Sequence, residues 1–164
     1  LGIPEDHLLS SVRQAISTLL ASLKRRPPIV FLSYSQMDKS IVRAFSDGLR
    51  EKGIEVWFDE ERLTPGASFI DEISKGLDSA DFLAFFLSQN STQSKWAIQE
   101  LNVMMARRIS SPGGAVILPI LLDDAPVPAL LRDVKYLDLR DKDTVRGVRQ
   151  LAEAIAAHQA RVGT

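Results

Sequence analysis

From His7 to Arg26 the apolar residues Leu8, Val12, Ala15, Ile16, Leu19, Leu20 and Leu23 recur at intervals of three and four, which places them on one face of a helix. Lys24, Arg25 and Arg26 suit the negative end of that helix, and Pro27 with Pro28 stops it. The reading is a packing or connector helix, ahead of a membrane-surface or oligomerisation helix, and its apolar stripe needs a cover. Beyond the prolines the pattern changes. Short apolar runs rich in β-branched and aromatic residues predict strands over Ile29–Tyr34, Ile54–Phe58, Phe82–Leu87, Ala115–Leu122 and, more briefly, Lys135–Leu139. Helical periodicity predicts helices over Ser40–Lys52, ended by Gly53, then Ser68–Leu77, Lys95–Ile109 and Thr144–Gln159. The stretch Ser88–Ser94, "SQNSTQS", is expected to be loop with N-cap candidates for the third of these helices.

Strands alternating with helices imply right-handed crossovers and a parallel sheet. The expected fold is α/β: a flavodoxin-like, doubly wound five-stranded parallel sheet with helices on both faces, plus the N-terminal helix. Residues 1–27 form the helix or connector and residues 28–160 the domain. In such sheets ligands sit outside the carboxyl ends of the strands. The segments emerging there are "SYSQMDKS", "DEERLTPGASF", "SQNSTQSKW" and "DDAPVP".

Composition then narrows the chemistry. The 164 residues are 45% hydrophobic and 25% charged, the makeup of one globular domain able to bury a core. A net charge of −1 offers no basic field, so neither nucleic acid nor an anionic membrane is expected as a partner. The absence of cysteine removes disulfides, thiolate metal sites and thiol nucleophiles; with His7 and His158 as the only histidines, both near the termini, no histidine metal cluster or triad is expected. No metal and no cofactor is expected. No apolar run reaches the roughly 20 residues that cross a bilayer, and the start does not read as a signal peptide. A cytoplasmic location is expected, as is a piece of a longer polypeptide, since the sequence opens on Leu1.

Neither a G-x-G-x-x-G fingerprint nor a P-loop fits after the first strand, because "SYSQMDKS" contains no glycine. A phospho-receiver would want an acceptor aspartate ending the third strand, which instead runs into "FLSQN". Four segments in order, "IVFLSYSQMD", "WFDEERLTPGASF", "FLSQNSTQSKWAIQEL" and "VILPILLDD", together resemble the TIR (Toll/interleukin-1 receptor) domain family over Pro28 to Ala157. The family's aromatic pair near its last helix has no match in "TVRGVRQLAEAIAAH". That departure leaves the C-terminal surface open.

The resemblance implies one of two activities: cleavage of the nicotinamide–ribose bond of NAD+, or non-enzymatic signalling through TIR–TIR association. A nucleotide other than NAD+ is a third alternative. In the enzymatic kind a glutamate on the third helix, preceded one turn earlier by a tryptophan, is catalytic; here these are Glu100 and Trp96. Four residues apart on a helix, they share a face. On spacing alone Glu100 reads equally as a solvated helix residue and Trp96 as packing. The resemblance also places nucleotide contacts at Ser33, Tyr34 and Ser35, where Ser33 capping the turn and Tyr34 packing on it are the bland alternatives. Arg62 is the candidate for a partner or the NAD+ phosphates, against a surface ion pair with Asp59 to Glu61. Ser88 and Ser94 flank the start of the third helix, where backbone N–H groups favour an anion, though N-capping explains one of them. Asp38 reads as a capping residue and Phe31 as core. NAD+ enters as substrate. Further partners implied are other TIR domains, met through the loop over residues 59–69 in a homo-oligomer or filament, and a sensor domain that clusters this one as an immune effector.

Overall fold

The computed structural model describes residues 5–24, 26–57, 78–92, 102, 106 and 113–162. In chain order these form α1 (Glu5–Lys24), β1 (Ile29–Ser33), a 3-10 turn (Gln36–Asp38), α2 (Lys39–Glu51), β2 (Glu55–Trp57) and β3 (Phe82–Leu87). A helical turn α3 (Gln89–Thr92), β4 (Val116–Leu121), a second 3-10 turn (Ala129–Leu131), β5 (Leu137–Asp138) and α4 (Thr144–Val162) follow. The five strands are all parallel in the order β2-β1-β3-β4-β5. This is the expected flavodoxin-like sheet, with its order reversing at β1 and β3. Every predicted strand is present, with its ends within two residues of those expected. The predicted helix Ser68–Leu77 lies outside the described residues, as does most of Lys95–Ile109, within which Asn102 and Ala106 are helical.

The central strands β1, β3 and β4 are apolar but for Ser33 because both faces of the sheet are covered there, whereas the edge strands β2 and β5 carry the exposed Glu55 and Asp138. Alternate residues feed two cores, as the two-residue period requires. Val30, Leu32, Phe82, Ala84, Phe86 and Ile120 pack with Val42, Phe45 and Leu49 of α2 and with Val148, Leu151 and Ile155 of α4. Phe31, Leu83, Phe85, Leu87, Ile117 and Leu121 form the second core with Leu131. Phe31 is thus the core residue its sequence context predicts. Phe45 meets Phe86 edge-on at 5.4 Å, a favourable aromatic geometry that locks α2 to the sheet centre.

Two glycines let α2 and α4 approach. A Cβ on Gly147 would lie 2.6 Å from Leu139 Cδ1 and 2.9 Å from Phe45 Cε2, and one on Gly48 would lie 2.9 Å from Val148 Cγ2. At the end of α2, Gly53 takes φ 77°. Its N–H donates to Arg50 O at 3.0 Å and that of Ile54 to Leu49 O at 3.2 Å, the paired bonds that close a helix C-terminus on glycine. Where the chain enters the sheet, Arg26 donates two bonds of 2.9 and 2.8 Å to Asp81, which also accepts from the backbone N–H of Ile29. That clamp ties the start of β1 to the start of β3. Along α1, every described side chain from Leu8 to Leu20 is exposed.

Candidate functional site

At the carboxyl edge three of the four expected segments converge. The strand register sets them side by side: Ser33, the last residue of β1, sits opposite Phe85, and Leu87 opposite Leu121. The chain beyond β1, the turn beyond β3 and the loop beyond β4 therefore leave the sheet together.

Ser33 is buried, and its Oγ has no hydrogen-bond partner among the described residues. Tyr34 is buried in the same core as Phe45 and Val42. Ser35 stays partly exposed, and its Oγ accepts the N–H of Met37 at 3.4 Å. The turn after β1 is therefore capped by Ser35 rather than by Ser33, because the strand geometry still holds Ser33 when the chain begins to turn.

Asp38 departs from its expected role. It precedes α2, but its carboxylate makes no capping bond. Instead Oδ2 accepts the Ser88 hydroxyl in a very short bond and Oδ1 accepts Asn90 Nδ2 at 3.0 Å. The reason is tertiary: β3 lies beside β1, so acceptors on the first loop face donors on the next. The residues Gln89–Thr92, expected to be loop, form the helical turn α3. Ser88 Oγ accepts from Ser91 N at 3.1 Å while Ser88 N donates to Ser91 Oγ at 2.9 Å, a reciprocal pair that plays the part of a capping box. Ser88 thus caps α3, while Ser94 and the start of the predicted helix Lys95–Ile109 lie outside the described residues. The Ser88 hydroxyl both donates and accepts, which satisfies the group inside a buried position.

Asp123, from "DDAPVP", completes the edge. Its two oxygens each lie 3.0 Å from Gln89 N, and Oδ1 also accepts from Ala125 N at 2.9 Å. A carboxylate at the first N–H groups of a helical turn is well placed electrostatically. Sequence reasoning missed Asn90 and Asp123; the available signals were the S-x-x-S spacing and a carboxylate directly after a buried strand. Further along, Arg140 Nε and Nη2 donate to Asp138 at 3.0 and 2.7 Å, while Nη1 reaches Asp124 at 2.9 Å. Those bonds, chiefly from the Arg140 side chain, hold the Asp138 carboxyl down to about 2. Lys142, at φ 61°, donates its Nζ to Leu122 O in a very short bond. The loops after β4 and β5 are thereby pinned to each other.

Chemically, the described edge is a scaffold of satisfied acceptors in which the buried Ser33 hydroxyl has no hydrogen-bond partner among the described residues. Among the described residues no group of three or more His, Asp or Glu side chains could hold a metal ion. Trp96, Glu100, Arg62, Ser94 and the loop over 59–69 lie outside the described residues, so the structure brings together only Ser33, Tyr34 and Ser35 of the sequence-derived candidates. His158 packs edge-on against Phe82 at 5.5 Å. It borders a cavity of about 680 Å³ lined also by Arg26, Asp81 and Gly113. That cavity opens at the amino ends of β3 and β4, away from the carboxyl edge.

Comparison with known proteins bears on this edge. A family model described as TIR domain matches residues 30–152. The chain is 40% identical over 91 residues, 55% of its length, to the 2' cyclic ADP-D-ribose synthase BtTIR of Bacteroides thetaiotaomicron, covering 31% of that protein. It is 37% identical over 105 residues, 63% of its length, to the NAD(+) hydrolase PdTIR of Paracoccus denitrificans, covering 34% of it. The chain thus spans about a third of the length of these curated relatives. Among solved structures, the TIR domain of the Toll-related receptor TRR-2 of Hydra magnipapillata matches with a TM-score of 0.60 at 25% identity, covering 77% of this chain and 97% of that one. The TIR domains of the activated Roq1 resistosome share the fold, with a TM-score of 0.57 at 21% identity over 78% of this chain and 99% of that one.

Proposed function

Because the chain belongs to the TIR domain family, we propose that it cleaves the nicotinamide–ribose bond of NAD+, with Glu100 as the catalytic residue and Trp96 as a wall of the site. The observation that carries this reading is the match to relatives named as an NAD(+) hydrolase and a cyclic ADP-D-ribose synthase, in a chain that carries the Trp96-to-Glu100 spacing. The convergence of the β1, β3 and β4 loops on one edge supports it.

The chemistry asks for few groups. Nicotinamide leaves as a neutral base, taking the C–N bonding pair and discharging the pyridinium, so departure needs no general acid. What requires stabilisation is positive charge on the ribose as it approaches an oxocarbenium ion. A carboxylate beside the ribose supplies that and also orients the incoming oxygen, as carboxylates do in glycoside hydrolysis. Water attacking C1′ yields ADP-ribose, and a hydroxyl of the same molecule yields a cyclic product; in either case the nucleophile loses its proton to the carboxylate or to solvent. In this reading the partly exposed Ser35 offers its hydroxyl to a ribose or phosphate, the buried Ser33 and Tyr34 support the turn behind it, and Arg62 offers a fork suited to phosphate oxygens. The wider setting in this reading is a cytoplasmic immune effector, clustered by a sensor, in which the loop over 59–69 of one copy covers the Glu100 site of the next.

The test is to hold the protein at high concentration with NAD+ and follow nicotinamide by chromatography, with Glu100→Ala alongside. Release by the parent and a loss of at least 100-fold in a folded variant, about 2.7 kcal/mol of transition-state stabilisation, is the expected result. No release from a demonstrably assembled parent would move the assignment to a TIR scaffold that signals by association alone.

A further inference from the structure

The apolar face of α1 is uncovered. Leu8, Leu9, Val12, Ile16, Leu19 and Leu20 are each at least 50% exposed, so the described part of the domain does not bury the stripe. Leu9, Val12, Ile16 and Leu19 follow one another at intervals of three, four and three, the alternation that a second helix covers by knobs-into-holes packing. A lone helix of 20 residues gains little from propensity and draws its stability from such a face.

Charge identifies what covers it. Glu5 and Asp6 stand at the start of α1 and Lys24 at its end, with Arg13 the only Lys, Arg, Asp or Glu between. A parallel second copy would set acid against acid, base against base and like dipole ends together. An antiparallel copy reverses all three signs. We propose that α1 pairs antiparallel with α1 of a second copy of this chain, Leu9 of one lying opposite Leu19 of the other and Val12 opposite Ile16. In that register Glu5 lies level with Leu23 of the other copy, beside its Lys24. Arg26, two residues beyond α1, is held to the domain by Asp81. The pair sets its two domains at opposite ends of a rod about 30 Å long.

Sedimentation of the 164-residue chain tests the pairing without reference to NAD+. The parent is expected at twice the 18.1 kDa of one chain, and Ile16→Glu with Leu19→Glu at the single mass, with the domain's thermal transition retained and a loss of helical circular dichroism no greater than the 20 residues of α1. The chain has no cysteine, so Leu9→Cys and Leu19→Cys report orientation. Mixed and oxidised, the two should cross-link to each other, while neither alone should, since two Leu9 positions would lie about 15 Å apart along the rod, beyond disulfide reach. A parent that stays monomeric, a dimer indifferent to the glutamates, or homodisulfides from each single variant would overturn the proposal. So would a monomer that sediments with phosphatidylglycerol vesicles, which would assign the stripe to lipid.

Discussion

Asp38 illustrates how a residue's role depends on what the fold sets opposite it. By sequence it is a polar residue just ahead of a helix, the usual place for a cap. In the fold its carboxylate bonds Ser88 and Asn90 instead, joining the loop after β1 to the turn after β3. Removing it strands the buried Ser88 hydroxyl and one amide N–H of Asn90. Asp38→Ala should therefore lower stability by about 1–3 kcal/mol, read as a shift in the urea midpoint. Asp38→Asn, which keeps an acceptor oxygen, should cost distinctly less. Equal losses for the two would mean that the carboxylate's bonds do not carry the effect.

At the scale of elements, the crossing of α2 and α4 depends on the missing side chains of Gly48 and Gly147. The atoms that a Gly147 Cβ would meet, Leu139 Cδ1 and Phe45 Cε2, belong to fully buried side chains. They cannot swing into solvent. Gly147→Ala is therefore expected to destabilise by about 1–3 kcal/mol through overpacking, outweighing the roughly 1 kcal/mol that alanine gains as a helix former. A thermal midpoint at or above the parent's would refute that balance. Gly53 was legible as the stop of α2 because a glycine after a periodic run is a local signal. The packing role of Gly147 was not legible, because nothing within the last helix marks which residue faces a neighbour so closely. The α3 turn was missed for a related reason: four residues carry too little periodicity, and its support comes from Asp123, 34 residues from Gln89.

Across the whole molecule, the carboxyl edge is held by ion pairs whose charges matter at low pH. Asp138 lies at about 2, lowered by the bonds from Arg140. Asp141 is lowered too, first by the Asp143 N–H and then by Arg146. A carboxyl whose value is depressed in the folded state stabilises the protein above its unfolded value, near 3.9, and loses that contribution as pH falls toward the folded value. Thermal stability should thus be insensitive to these groups above about pH 5 and decline between about pH 4 and 2. Asp138→Asn should flatten that acid limb. Both groups are solvent-exposed and screened, so the expected change in slope is small, and an unchanged slope in the variant would remove Asp138 from the account.

The sequence by itself determined the strand and helix alternation, the sheet class, the helix stop at Gly53, the core place of Phe31 and the amphipathic first helix. All of these follow from periodicity and local backbone preference, which act within a few residues. Only the tertiary structure decided that Asp38 serves β3, that Asp123 supports the turn after it, that Ser35 rather than Ser33 caps the first loop, and that the stripe of α1 is left open. Each of those depends on which distant segments the parallel register brings together, and register is set by the burial of whole faces rather than by any one stretch of chain.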